Sequence, residues 1–154
     1  MQVLPLLLRG LLLPVITLFL FTAQMGHAAT NTPVGLWQTI DDQSGKPRSL
    51  IRIGQKYGKL SAVIEKGLLA TDTPDAVCEK CKDERKGQKI IGMTIAEGLT
   101  KDGDQYTDGK ILDPENGKIY NCKMQLNEAG DELEVRGYIG ISLIGRSQIW
   151  KRVE

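Results

Sequence analysis

Lys118-Ile119-Tyr120-Asn121-Cys122-Lys123-Met124-Gln125-Leu126 is followed by Asn127-Glu128-Ala129-Gly130-Asp131 and then by Glu132-Leu133-Glu134-Val135-Arg136-Gly137-Tyr138-Ile139. Apolar and polar residues alternate on both sides of a turn-forming gap, and period two is the repeat of a strand with one buried face. Tyr120, Cys122, Met124 and Leu126 share one side, while Asn121, Lys123 and Gln125 share the other. Leu133, Val135, Gly137 and Ile139 oppose Glu132, Glu134, Arg136 and Tyr138 in the same way. The gap contains Asn, Gly and Asp and is too short for a crossover helix, so the two runs pair as an antiparallel hairpin.

Outward from this hairpin the pattern repeats. Further strands are expected over Val34–Ile40, Arg48–Gln55, Lys59–Glu65, Lys89–Ala96, Gln105–Leu112 and Arg146–Val153. Most are separated by short segments with Gly beside Asp or Asn, such as Lys101-Asp102-Gly103-Asp104 and Asp113-Pro114-Glu115-Asn116-Gly117. Sequence neighbours therefore pair in a meander, and eight such strands can close on themselves and remove both sheet edges. The expectation is an all-β fold, an eight-stranded antiparallel up-and-down barrel. On the last strand the facing is open: Arg146, Gln148, Trp150 and Arg152 share one side, Ile149 and Val153 the other. If Trp150 points inward the interior carries polar groups; if Ile149 does, the interior is apolar.

The interval between Lys66 and Gln88 breaks the rhythm, and the barrel is expected to carry this 66–88 insertion as one short helix or a loop. Thr73-Pro74-Asp75 reads as a helix start, with a capping hydroxyl, a proline at the first position and a carboxylate at the dipole's positive end. A helix to about Lys82 would put Cys78 and Cys81 on one face. The pair reads either as a small disulfide pinning the insertion or as a thiol redox site. Against the second, Cys78 lies about a turn inside the proposed start and no βαβ pattern surrounds it. Cys122 alternates with apolar residues and reads as a buried free thiol.

The N-terminal segment is of another kind. Arg9 precedes an apolar run from Leu11 to Phe21 that ends in Gly26-His27-Ala28, the layout of a secretory signal cut before Ala29. The run covers 11 residues, short of the ~20 that span a bilayer. Residues 1–28 are thus expected to be a signal peptide and 29–154 a single barrel domain, periplasmic or secreted, with no membrane span after cleavage. The 154-residue chain carries 20 basic and 19 acidic side chains, and without Arg9 the balance is zero. That neutrality gives no electrostatic reason to expect nucleic acid or an anionic surface as a partner. His27 is the one histidine, so the domain beyond the leader has none for a catalytic triad or a metal site.

Other chemistry finds little support. Asp102-Gly103-Asp104-Gln105-Tyr106-Thr107-Asp108-Gly109 has its glycine second rather than sixth and no closing Glu, which fails the calcium-loop pattern. Glu65, Asp108 and Asp113 are carboxylates with no sign of convergence, and Ser142 and Ser147 stand in no nucleophile-elbow context. No catalytic residue, metal ligand or cofactor site is expected.

The chain resembles the exported bacterial proteins grouped as domain-of-unknown-function family 2147. The resemblance rests on Gly35-Leu36-Trp37, the Cys78–Cys81 pair, Asp108-Gly109-Lys110-Ile111 running into Asp113-Pro114, and Gly117-Lys118-Ile119-Tyr120. Val135-Arg136-Gly137-Tyr138-Ile139-Gly140, Gly145-Arg146-Ser147-Gln148 and Trp150-Lys151-Arg152 complete it. It implies a lipocalin-like or calycin-like barrel and no particular activity. The wider similarity to lipocalins rests on Gly35, Trp37 and a late Arg; the end at Glu154, with no room for a C-terminal helix, and a tighter interior without Phe argue against a large lipid-sized cavity.

The expected role is binding of one small apolar or amphipathic ligand in a cavity of a few hundred cubic ångström. Trp37, Tyr120, Arg136, Tyr138, Arg146 and Trp150 are the expected pocket or gate residues. Trp37 and Trp150, on neighbouring first and last strands, could instead plug one end with an arginine stacked on an indole. Two alternatives belong to other classes: an interaction protein with a filled barrel acting through the 66–88 insertion, and an envelope thiol-disulfide enzyme using Cys78 and Cys81.

Overall fold

The computed structural model describes residues 31–41 and 44–154, so the leader expected over residues 1–28 lies outside the described residues. Eight strands follow in order: β1 (Gly35–Ile40), β2 (Pro47–Lys56), β3 (Lys59–Gly67), β4 (Thr94–Asp102), β5 (Gln105–Asp113), β6 (Lys118–Leu126), β7 (Glu132–Tyr138) and β8 (Gly145–Arg152). Each pairs antiparallel with its neighbour in sequence, and β8 returns to β1 to close the barrel. The expected architecture is the observed one.

The alternation read from sequence decides which side chains meet inside. Leu60, Ala62 and Ile64 of β3, Cys122 and Met124 of β6, and Leu133 and Val135 of β7 are all buried in one core. The facing of β8 follows from register. Leu133 stands opposite Trp150, Val135 opposite Gln148 and Gly137 opposite Arg146, and directly opposed residues share a face. Trp150 therefore points inward and is buried, while Ile149 is exposed.

Three expectations need correction. The fourth strand was placed over Lys89–Ala96, following the apolar pair Ile90-Ile91, but β4 begins at Thr94 and runs to Asp102. The residues before it turn sharply instead: Met93 N donates to Ile90 O (3.1 Å) and Gly92 N to Ile64 O (2.8 Å). Gly92 holds a φ of 88°, a backbone state that would strain any residue with a side chain. Secondly, the helix from Thr73 to Lys82 does not form; among the described residues there is no helix. The Thr73-Pro74-Asp75 start yields a single turn, Ala76 N to Thr73 O (3.1 Å), after which the backbone pairs across the insertion. Cys78 N donates to Gln88 O (2.9 Å) and Ile90 N to Ala76 O (2.9 Å), so the groups a helix would need are engaged elsewhere. Thirdly, Ile139 lies beyond the end of β7 and is largely exposed, at the rim of the interior rather than buried in the core.

The two ends of the barrel differ. At one end Trp37 is fully buried, its Nε1 donating to Pro33 O (2.7 Å), and the Arg152 guanidinium lies 4.2 Å from the centre of its ring. Arg152 also donates to the carbonyls of Thr32 (2.8 Å), Val34 (3.0 Å) and Gly130. Leu36 N donates to Glu154 O (2.8 Å) and Val153 N to Leu36 O (2.8 Å), so both described termini are stitched into this end. The plug foreseen for the tryptophan cluster is thus formed by Trp37 and Arg152, without Trp150.

Candidate functional site

The other end of the barrel is open. It holds a cavity of about 640 Å³ bounded by the last residues of β1, β3, β5 and β7, the first of β2 and β8, and part of the insertion. That volume falls within the range of small-molecule pockets, ~300–1,000 Å³. Ile51, Ile64, Ile95, Leu112, Val135 and Trp150 form its floor and walls, and Ile90 and Ile91 close it from the insertion side. All but the last two belong to the buried core, so the walls are fixed by the packing that stabilises the barrel.

Polar groups interrupt this apolar surface toward the rim, among them Asp41 and, from the insertion, Asp72 and Thr73. Thr39 and Ser49, opposed on β1 and β2, share a hydroxyl–hydroxyl hydrogen bond of 2.7 Å. Gln148 lines the cavity next to Trp150 and accepts from the indole Nε1 (3.3 Å). On the opposite side Asn116 Nδ2 donates to Asp113 Oδ2 (2.7 Å) and to the Tyr120 hydroxyl (3.2 Å). Arg146 and Tyr138 stand at the rim, and an ion pair between Arg48 and Glu115 joins β2 to the β5–β6 turn. Both partners of that pair are partly exposed, so it adds little to stability and can part when something enters.

The insertion packs against this mouth through a segment closed by a local disulfide. Cys78 and Cys81 form a disulfide, and both residues are buried in the main core with Met93. Cys78 Sγ lies 3.7 Å from the Pro114 carbonyl, and a Cβ on Gly117 would collide with the Lys80 carbonyl oxygen. The CxxC segment thus packs directly on the β5–β6 turn, and only a glycine permits the approach. Farther along, Arg85 donates to Thr94 O (3.1 Å), and its guanidinium beside Asp83 holds that carboxyl below the usual carboxylate range. Thiol catalysis needs an accessible sulfur in an electropositive setting. Both cysteines of the bridge are buried, away from such a setting.

Of the six side chains singled out from sequence, the structure brings Tyr120, Tyr138, Arg146 and Trp150 to the cavity. It does not bring Trp37 or Arg136. Trp37 belongs to the plugged end. Arg136 lies on the outward side of β7, as the alternation with Leu133 and Val135 requires, and donates to Ser147 Oγ (3.0 Å) and to the carbonyls of Ser142 (2.7 Å) and Leu143 (3.4 Å). Sequence reasoning missed Thr39, Ser49 and Asn116. Each is an ordinary strand or turn residue whose inward or rim position depends on register.

Residues 35–152 match the family model described as "Uncharacterized protein conserved in bacteria (DUF2147)". The chain belongs to this family. Among solved structures it is similar to the protein HP1028 of Helicobacter pylori, described as belonging to the lipocalin family, with a TM-score of 0.71 and 20% identity. The match covers 81% of this chain and 85% of that one, and at this identity it shows a shared fold. No curated protein matches the chain. The DUF2147 chain is therefore a lipocalin-like barrel with one end plugged and the other open, an architecture compatible with small-ligand binding in general.

Proposed function

We propose that this DUF2147 protein is an exported binding module that holds one small apolar or amphipathic molecule in the open half of its barrel. The observation that carries this reading is the 640 Å³ cavity, with an apolar floor that includes Trp150 and polar groups gathered toward its rim. An amphipathic guest would lay its apolar part against Ile51, Ile95, Val135 and Trp150. Its polar end would meet the Thr39–Ser49 and Gln148 side or the Tyr120–Asn116 side, with Tyr138 and Arg146 at the entrance. The export half of the proposal rests on the signal-like residues 1–28 and on the Cys78–Cys81 bridge, since disulfides persist in oxidising compartments.

Titration with dodecanoate and with anilinonaphthalene sulfonate, followed through Trp150 emission, tests the cavity. Saturable binding at one equivalent per chain is expected. Val135→Trp, which adds bulk to a wall, should weaken it about tenfold or more, while Glu65→Gln on the outer surface leaves it unchanged. Binding that does not saturate, or that ignores the Val135 substitution, refutes the proposal.

A further inference from the structure

The turn between β7 and β8 reads Tyr138-Ile139-Gly140-Ile141-Ser142-Leu143-Ile144-Gly145-Arg146, with no charged side chain from Ile139 to Gly145. Ile139, Ile141, Leu143 and Ile144 are 62, 61, 84 and 66% exposed. Hairpin tips in water are built from Gly, Asn, Asp and Ser, and four exposed aliphatic chains at one tip depart from that chemistry.

The tip is also held in shape from within. Ile139 N donates to Ile144 O (3.0 Å) and Ile144 N to Ile141 O (3.1 Å). Arg136 reaches up the outside of the barrel and gives its Nε to Ser142 O (2.7 Å) and an Nη to Leu143 O (3.4 Å). Those two carbonyls are the kind a hairpin leaves to water. In an apolar medium no water is available, and a bare carbonyl is costly there. A tip in which the carbonyls of Ile141, Ser142, Leu143 and Ile144 have donors, and whose most exposed side chains are aliphatic, is suited to leave water.

We infer that this tip docks on a lipid bilayer, placing Ile141 and Leu143 at the boundary between headgroups and acyl chains. Tyr138 and Arg146 flank its base, the residue types that sit at a membrane–water boundary. Ile139 and Ile144 also line the cavity, so the apolar surface of the tip continues into the cavity wall and the docked barrel turns its mouth toward the lipid. A protein partner fits less well: stable protein interfaces are broad and bury large anchor side chains at their centre, whereas this tip is narrow and its most exposed side chains are Ile and Leu. The neutral charge balance of the chain beyond Arg9 means that attachment depends on apolar burial and not on anionic lipid. The inference stands whether or not the cavity takes a guest.

The whole chain, as isolated from expressing cells, is mixed with phosphatidylcholine vesicles whose acyl chains carry bromine as a fluorescence quencher. One variant carries Leu143→Trp and another Tyr57→Trp, at the exposed β2–β3 turn on the plugged side. Trp37 and Trp150 are common to both variants, and the signal of the parent chain with the same vesicles is subtracted from each. Emission of the Leu143→Trp variant is expected to shift to the blue and to be quenched, that of the Tyr57→Trp variant to do neither, and high salt to change nothing. Ile141→Asp combined with Leu143→Asp should lower the vesicle-bound fraction about tenfold. An unquenched Leu143→Trp variant, or equal quenching of both reporters, overturns the inference. So does a concentration-dependent dimer of the parent chain that Leu143→Asp abolishes, because the tip would then belong to a contact between copies. Should the double Asp variant fail to fold, the pair of Trp reporters still decides.

Discussion

Cys122 sits inside β6 with its thiol wholly buried, and burial alone pushes its pKa up to about 12. A free thiol ionises near 8.5, so between these values the unfolded chain releases a proton that the folded one keeps. The stabilising effect is complete below pH ~8.5 and is lost as pH rises toward 12, at about 1.4 kcal/mol per pH unit. Urea unfolding at pH 7 and pH 10 should therefore show an alkaline loss that Cys122→Val reduces, and the native thiol should resist alkylation at pH 8. An equal alkaline loss in both chains would contradict the assignment. The burial itself was legible in the sequence, because Cys122 alternates with Tyr120 and Met124. The division of labour between the tryptophans was not. Trp37 and Trp150 look alike in sequence, and only Arg152, lying over one indole while donating to Thr32, Val34 and Gly130, separates plug from cavity wall.

Among the elements, the strands were readable wherever one face is polar and the other apolar, as in β3, β6 and β7. The pattern misled where apolar residues cluster. Ile90-Ile91 looks like strand because both are β-branched, yet they line the cavity from a turn that Gly92 makes possible. Thr73-Pro74-Asp75 has the chemistry of a helix start, but local propensity yields to the cross-pairing of Ala76 and Cys78 with Gln88 and Ile90. The inward set on β8 follows from counting the β7–β8 register, which the short turn leaves uncertain by one residue. The insertion depends on its disulfide. Replacing Cys78 and Cys81 together by Ser should cost about 2 kcal/mol, as expected for so short a loop. Because the barrel pairs without it, trypsin should then cut first after Lys80, Lys82 or Lys86 and leave the remaining strands protected. A variant as resistant as the parent, or one that loses the whole barrel at once, would show that the bridge does not act as a local pin.

For the molecule as a whole, the closure between β1 and β8 is uneven. β7 pairs with β8 from Glu132 through Tyr138, but β1 meets β8 only at Trp37–Arg152 and Gln38–Lys151, next to the plug. Toward the mouth, β1 and β8 share no further hydrogen-bonded ladder pair among the described residues. Local opening follows the segments with fewest such bonds, so amides of Ser49 and Ile51 on the interior of β2 should exchange more slowly than that of Ile149 facing the seam. Equal protection across the seam would mean that the closure is stronger than its ladder indicates. The seam is therefore firmest beside Trp37 and Arg152, at the plugged end.

Val34 and Glu154 emerge together at the plugged end, with Leu36 bonded to both Val153 and Glu154. An affinity tag, a sensor surface or a fused enzyme joined at Glu154 starts from the end opposite the opening. A tethered copy would thus present its mouth and the Ile141–Leu143 tip to the solution. A circular permutant that links the old ends and begins anew at Gly103 would keep every join on the blind side of the cup.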